Sequence, residues 1–281
     1  MDNFKEFMLT NATHIVVGTG ILGATWYVVR RLTRKSRKCG VDYPKDTVII
    51  HEFPYRKGIP NIGHFVIKLE TYLRIAKIPF QVNYFHENGP KNKTPWIEYN
   101  GITMGDSQLI IEFLNKEFSV NLNDHLSTLE VSQAWAIQKW IEEFTYWLNV
   151  ATRWTVFGEE TLSHIFGIAG IKGTVARCLL TSMIRKHLYT VGIGRHSNEE
   201  IQEMMINDIR HFTVLLGNKN FLMGDKISVV DCAAFGILSQ VRWATPDKCI
   251  GRKCLLEQRN VMDYLDRIKN TYWTDWDTLV L

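Results

Sequence analysis

The chain is poor in the residues that staple or coordinate a structure, with five cysteines and seven prolines in 281 positions. Cys39, Cys178, Cys232, Cys249 and Cys254 follow no regular framework, which excludes a disulfide-built mini-protein and suits free thiols in a reducing compartment. Cys249 and Cys254 have no second Cys or His pair at ligand spacing, so no metal is expected. Net positive charge is confined to one stretch. Residues 1–45 hold eight Lys/Arg against three acids, so of the formal net charge of +4 the remaining chain carries a single negative unit. A nearly neutral body lacks the electrostatic footprint of a nucleic-acid-binding domain, and no nucleic acid is expected as a partner. What the chain does have is apolar material. Hydrophobic residues make up 46% of it, with nine Trp, ample for one large core or two smaller ones.

Residues 15–29, IVVGTGILGATWYVV, carry no charge and are followed at once by RRLTRKSRK. This reads as a transmembrane helix over 13–30, after a tail of residues 1–12 and ahead of a basic linker over 31–46, although it is short and an interfacial or tilted insertion fits too. Six Arg/Lys over 30–38 against Lys5 alone on the other side place the following chain in the cytosol. A cleaved signal peptide would have the opposite charge polarity. Gly18, Gly20 and Gly23 spell GxGxxG, but no second strand ending in an acid follows, so a small-residue helix face is the better reading. A single-pass membrane protein of the mitochondrial outer membrane or endoplasmic reticulum is the expectation.

From Thr47 the pattern changes. Thr47-Val48-Ile49-Ile50-His51 is a β-branched run read as a buried strand. Ile62, Phe65, Val66, Leu69, Leu73 and Ala76 then recur at helical spacing behind Pro60-Asn61. Phe80, Val82 and Tyr84 alternate as a second strand. Asn100-Gly101 between the short runs Trp96–Tyr99 and Ile102–Met104 predicts a hairpin, and Asp106-Ser107 opens a helix with Ile110, Ile111, Leu114 and Phe118 on its apolar face. The order is βαβ, hairpin, helix, an α/β domain over 47–120.

That order, with Thr94-Pro95-Trp96 before the hairpin and Gly105-Asp106-Ser107 at the helix start, resembles the thioredoxin-like N-terminal domain of glutathione S-transferases. More narrowly, Pro60-Asn61-Ile62 with Phe65, then Lys68-Leu69-Glu70-Thr71-Tyr72-Leu73-Arg74 and Ile78-Pro79-Phe80, resembles the failed axon connections family with its cadmium-responsive relatives, a branch close to the metaxins. The resemblance implies that Pro95 is cis and that Pro95 and Trp96 present backbone to the glutathione peptide as an added strand. It implies that Asp106 and Ser107, at a helix N-terminus, hold the γ-glutamyl end. Where the branch has Ser-Pro-Phe-Cys, this chain has Gly63-His64-Phe65-Val66, so the usual hydroxyl and thiol that stabilise a thiolate are both missing. Tyr55 and His64 are the candidate catalytic substitutes.

The back half, 124–281, is expected to be all-helical. Ala134, Ile137, Ile141, Phe144, Leu148 and Ala151 mark a long amphipathic helix carrying Trp135, Trp140, Trp147 and Trp154, a cluster read as core that flanks the substrate cleft. Ser228 and Asp231 form a capping box, which resembles the folding signature of the transferase helical domain; capping alone would make Asp231→Ala cost about 1 kcal/mol. The expected whole is a membrane-anchored transferase homologue that binds glutathione or a related thiol with weak or no conjugating activity. The competing expectation is a non-catalytic interaction or trafficking module, with a second copy or a metaxin-like protein as partner. Glutathione is the only small ligand implied; no cofactor is.

Overall fold

The computed structural model describes residues 43–53, 58–84, 89–166 and 170–280, with the side chains of 164–180 left aside. The anchor expected over 13–30 and Tyr55 both lie outside the described residues. Among the described residues no helix is long and apolar enough to cross a membrane.

Strand β1 (Val48–Glu52) is buried at all five positions because it is a central strand covered on both faces. It pairs in parallel with β2 (Phe80–Tyr84), Val48 opposite Phe80, and antiparallel with β3 (Trp96–Tyr99), Ile50 opposite Ile97. β4 (Ile102–Gly105) closes the sheet in the order β2-β1-β3-β4. The hairpin between β3 and β4 turns on Asn100 and Gly101 at φ 45° and 82°, the double left-handed conformation that Asn-Gly adopts at least cost. Helix α1 (His64–Ala76) connects β1 to β2, and α2 (Ser107–Glu117) follows β4. Leu69, Leu73, Ile110 and Leu114 from these helices bury against Val48, Ile50 and Ile97 of the sheet.

The helical half starts with α3 (Thr128–Trp140), capped by Ser127 and Glu130 in a reciprocal box. It runs on through a π turn (Ile141–Thr145), α4 (Tyr146–Ala151) and a second π turn (Thr152–Val156). α5 (Gly158–Phe166), α6 (Gly170–Val191), a 3₁₀ turn (Ile193–Arg195), α7 (Asn198–Leu216), α8 (Val229–Trp243), α9 (Ile250–Glu257), α10 (Arg259–Tyr272) and α11 (Trp276–Leu279) complete it. The first π turn corrects one expectation. Ala134, Ile141, Leu148 and Ala151 are buried as the helical spacing requires, but Phe144 is exposed, because the wider turn rotates the face within it. Trp135 is likewise 63% exposed, so it lies outside the core, whereas Trp140, Trp147 and Trp154 pack against it.

The two halves share a seam rather than a linker. α8 is buried from Val229 to Val241 and lies directly on α1: a Cβ on Gly236 would meet the His64 carbonyl oxygen at 2.6 Å. Ile67 of α1 belongs to the helical core, while Val229 and Cys232 of α8 belong to the sheet core. The end of the chain returns to the same helix, with Trp273 Nε1 donating to Thr71 Oγ1 at 3.0 Å.

Candidate functional site

Strand order decides which groups can meet. β1 and β4 both run antiparallel to β3, so the carboxyl ends of β1 and β4, the start of β3 and the N-termini of α1 and α2 all lie at one end of the sheet. Ligands of α/β sheets collect outside strand carboxyl ends. Pro95 and Trp96 open β3 there, behind a cis Thr94–Pro95 bond. Asp106 and Ser107 start α2 next to them, Trp96 being opposite Gly105 in the ladder.

Asp106 is held at φ 87°, ψ 114°, a region non-glycine residues rarely occupy. Its Oδ1 accepts from the N–H groups of Gln108 at 3.1 Å and Leu109 at 3.3 Å, so one oxygen serves as helix cap. Ser107 is buried beside it. The Trp96 indole is turned away from this end, buried and stacked on His51 at 3.6 Å, with 4° between the planes. His51 in turn pairs with Glu98 at 2.8 Å.

Behind this end, Asn61 organises the loop into α1. Its Nδ2 donates to the Phe53 carbonyl at 2.7 Å and to Glu52 Oε1 at 3.3 Å, its Oδ1 accepts from Gly63 N–H at 2.9 Å, and its carbonyl accepts from Gln240 of α8 at 2.8 Å. The Pro-Asn signal thus marks a hub as well as a helix start. Gly63, the cap residue of α1, could take a Cβ only 2.9 Å from Cγ2 of Val66. The departures at 63 and 66 from the Ser-Pro-Phe-Cys pattern are therefore sterically coupled, because a side chain at 63 requires Val66 to shift or be replaced.

His64 points inward. It is buried with its ring edge-on to Tyr146 at 4.9 Å, and burial first, then the Arg153 charge, drive its imidazole down to about 3, so it is neutral at physiological pH. A neutral imidazole is chemically able to accept a proton, but this one faces the helical half rather than Pro95.

Sequence reasoning missed two groups. The first joins the halves beside Ser107: Lys68 of α1, fully buried, donates to Glu142 Oε1 at 2.5 Å and to Gln108 Oε1 at 2.9 Å, and Gln138 donates to Gln108 at 2.7 Å. Burial pulls the Lys68 ammonium below its ordinary value, against Glu142, which raises it. The second is Arg153, buried in the second π turn with no carboxylate partner among the described residues; burial lowers its guanidinium to about 10. The available signal for both was a charged residue within an apolar helix stripe.

This architecture, a four-stranded thioredoxin-like sheet fused to a helical bundle, is that of a glutathione-transferase fold. A profile of the glutathione S-transferase N-terminal domain matches residues 64–161, and one of the C-terminal domain matches 205–268. The chain is 30% identical to an isoprene-epoxide–glutathione S-transferase of Rhodococcus sp. (strain AD45), over 76% of this chain and 94% of the relative. It is 25% identical to Failed axon connections of Drosophila melanogaster, over 85% of this chain and 61% of that protein. It is 24% identical to a mitochondrial outer membrane import complex protein, metaxin, of Arabidopsis thaliana, over 72% and 65%. A glutathione transferase crystal structure from Phanerochaete chrysosporium superposes with a TM-score of 0.55 at 10% identity, covering 80% of this chain and 97% of that one. The chain belongs to the glutathione S-transferase superfamily, in its failed axon connections and metaxin-like branch.

Proposed function

We propose that this chain is a membrane-tethered, glutathione-transferase-like protein that binds glutathione or a related thiol and conjugates it weakly or not at all. The observation that carries the reading is Asp106: a non-glycine residue at φ 87°, capping α2 with Ser107 buried beside it and following Gly105, which is opposite Trp96 in the ladder. Strain of this kind persists where a ligand needs the geometry. Backbone of β3 would pair with the peptide, and the α2 N-terminus would receive its γ-glutamyl carboxylate. The first turn of α1 offers Gly63 and Val66 where activation needs a hydroxyl or thiol, so a bound thiol would keep its proton; Tyr55 and His64 are the groups left for that role.

A second reading, a non-catalytic metaxin-like interaction module on an organelle membrane, draws on that first turn, where His64 is spent inward on Tyr146. In either case residues 13–30 would be the anchor and the basic run 30–38 its cytosolic flank. The mitochondrial outer membrane and the endoplasmic reticulum both suit it; the metaxin relative favours the first. The protein partner would be a second copy or a metaxin-like chain. Calorimetric titration of glutathione into the full-length protein tests the reading. Saturable binding that disappears in Asp106→Ala/Ser107→Ala supports the thiol site, and heatless titration at millimolar ligand leaves the interaction module.

A further inference from the structure

We infer that Arg153, with Asn149 and His64, forms a binding site for a small organic monocarboxylate between the start of α1 and the helix running through α4. Tyr146, Asn149 and Arg153 recur at helical spacing and line one face of that segment, and His64 meets them from α1. Arg153 is 1% exposed, and among the described residues no acid pairs with it. Its Nη1 donates to Gln240 Oε1 at 2.9 Å and to the Ile62 carbonyl at 3.4 Å, whereas Nε and Nη2 make no hydrogen bond. Those two N–H groups form the side-on edge of a guanidinium, the pair that matches the two oxygens of a carboxylate in parallel. Asn149 is also buried and sits against His64, yet neither amide atom makes a hydrogen bond of normal geometry, and His64 Nε2 has none either.

Charge selects the ligand class. His64 is neutral, so the site holds one positive charge and suits a monoanion rather than a phosphate dianion. Leaving such a charge without a counter-ion in a protein interior is costly, and a bound carboxylate removes the cost. Tyr146 and Phe65, half-buried with rings 5.1 Å apart, form an apolar rim suited to an organic tail. The inference does not rest on the thiol reading, because Arg153 and Asn149, the residues on which it is tested, take no part in that reading.

The test is thermal melting and tryptophan fluorescence of the full-length protein titrated with sodium benzoate, against sodium chloride at equal ionic strength. Wild type should show a saturable rise in Tm of about 5 °C near a hundredfold excess over Kd. Arg153→Met should lose that response while melting as high as wild type or higher without ligand, since the shorter apolar side chain removes an uncompensated buried charge. Asn149→Leu provides a second variant in case Arg153→Met fails to fold, and it should bind benzoate at least tenfold more weakly. No benzoate effect beyond the chloride control overturns the site and leaves Arg153 as a clamp on the Ile62 loop. Either variant responding as wild type does overturns it equally.

Discussion

Single residues in this chain are worth what their buried partners make them worth. Asp231 is the clearest case. Its Oδ1 accepts from Leu222 N–H at 2.8 Å and the Tyr264 hydroxyl at 3.0 Å, and its Oδ2 from the N–H and hydroxyl of Ser228 at 2.9 and 2.8 Å. It therefore ties α8 to the loop before it and to α10, beyond capping one helix end. Burial raises its carboxyl pKa in spite of these four donors. Asp231→Ala strands several buried donors at once, so the cost should be about 3 kcal/mol or more rather than the 1 kcal/mol of a cap. A urea midpoint for Asp231→Ala within the range of an ordinary cap deletion would show that solvent replaces the carboxylate. Arg153 is equally buried but incompletely paired, and its removal is expected to act in the opposite direction.

At the scale of elements, the long helix from Thr128 to Val156 does its work at its two π turns, where Glu142 and Arg153 sit. Glu142 reaches across to Lys68 on α1, 74 residues earlier in the chain, and both are buried. Losing one member of a buried pair leaves an uncompensated charge, so Lys68→Met or Glu142→Met should each cost about 3–5 kcal/mol. The double variant Lys68→Met/Glu142→Met should recover most of that, because Gln138 and Gln108 still bond each other at 2.7 Å and the methionines fill the space. Additive losses in the double variant would mean that the pair is no unit. Much of the element order was readable because it depends on neighbours in sequence. Asn100-Gly101 specifies its own turn, Asp106 and Ser228 announce helices by capping chemistry, and the α1 stripe repeats every three or four residues. The π turns have no such local signal, so Phe144 was misplaced on the buried face. The Lys68–Glu142 pair and the burial of Arg153 depend on which helix packs on which, and a charged residue within an apolar stripe reads the same whether it reaches solvent or a partner. At the sheet end, Pro95, Trp96, Asp106 and Ser107 were recognisable as a set by resemblance; that Trp96 is turned away onto His51 follows only from the strand register.

At the scale of the molecule, the end of the chain and the start of the fold are held together through Arg74 of α1, with two carboxyls behind it that burial makes harder to ionise. Arg74 of α1 bonds Asp275 at 2.6 Å and Glu70 at 2.8 Å, with its guanidinium over the Trp273 ring at 4.2 Å. Behind it Glu70 and Glu52 are both buried. Burial, opposed by Arg74, brings the Glu70 carboxyl up to about 7, and burial together with the Glu70 charge holds Glu52 well above its ordinary value. Both acids titrate higher in the folded chain than in the unfolded one. Between about pH 4.5 and pH 7 the native state therefore retains protons that the unfolded state has released, and their contribution to stability falls as pH rises through that window. His64 has the opposite shift, its folded value of about 3 lying below the ordinary 6.5, and its contribution is lost as pH falls below 6.5. The carboxylate effect is isolated by comparing wild type with Glu52→Gln, which keeps an acceptor for Asn61 but cannot ionise. The two should melt alike near pH 5 and diverge as pH rises, the variant melting higher by about 3 °C at pH 7.5, the shift that roughly 1 kcal/mol makes in a domain of this size. Parallel melting curves across that range would mean that Glu52 ionises without cost, and that the contact between the chain's end and α1 does not respond to pH through this pair.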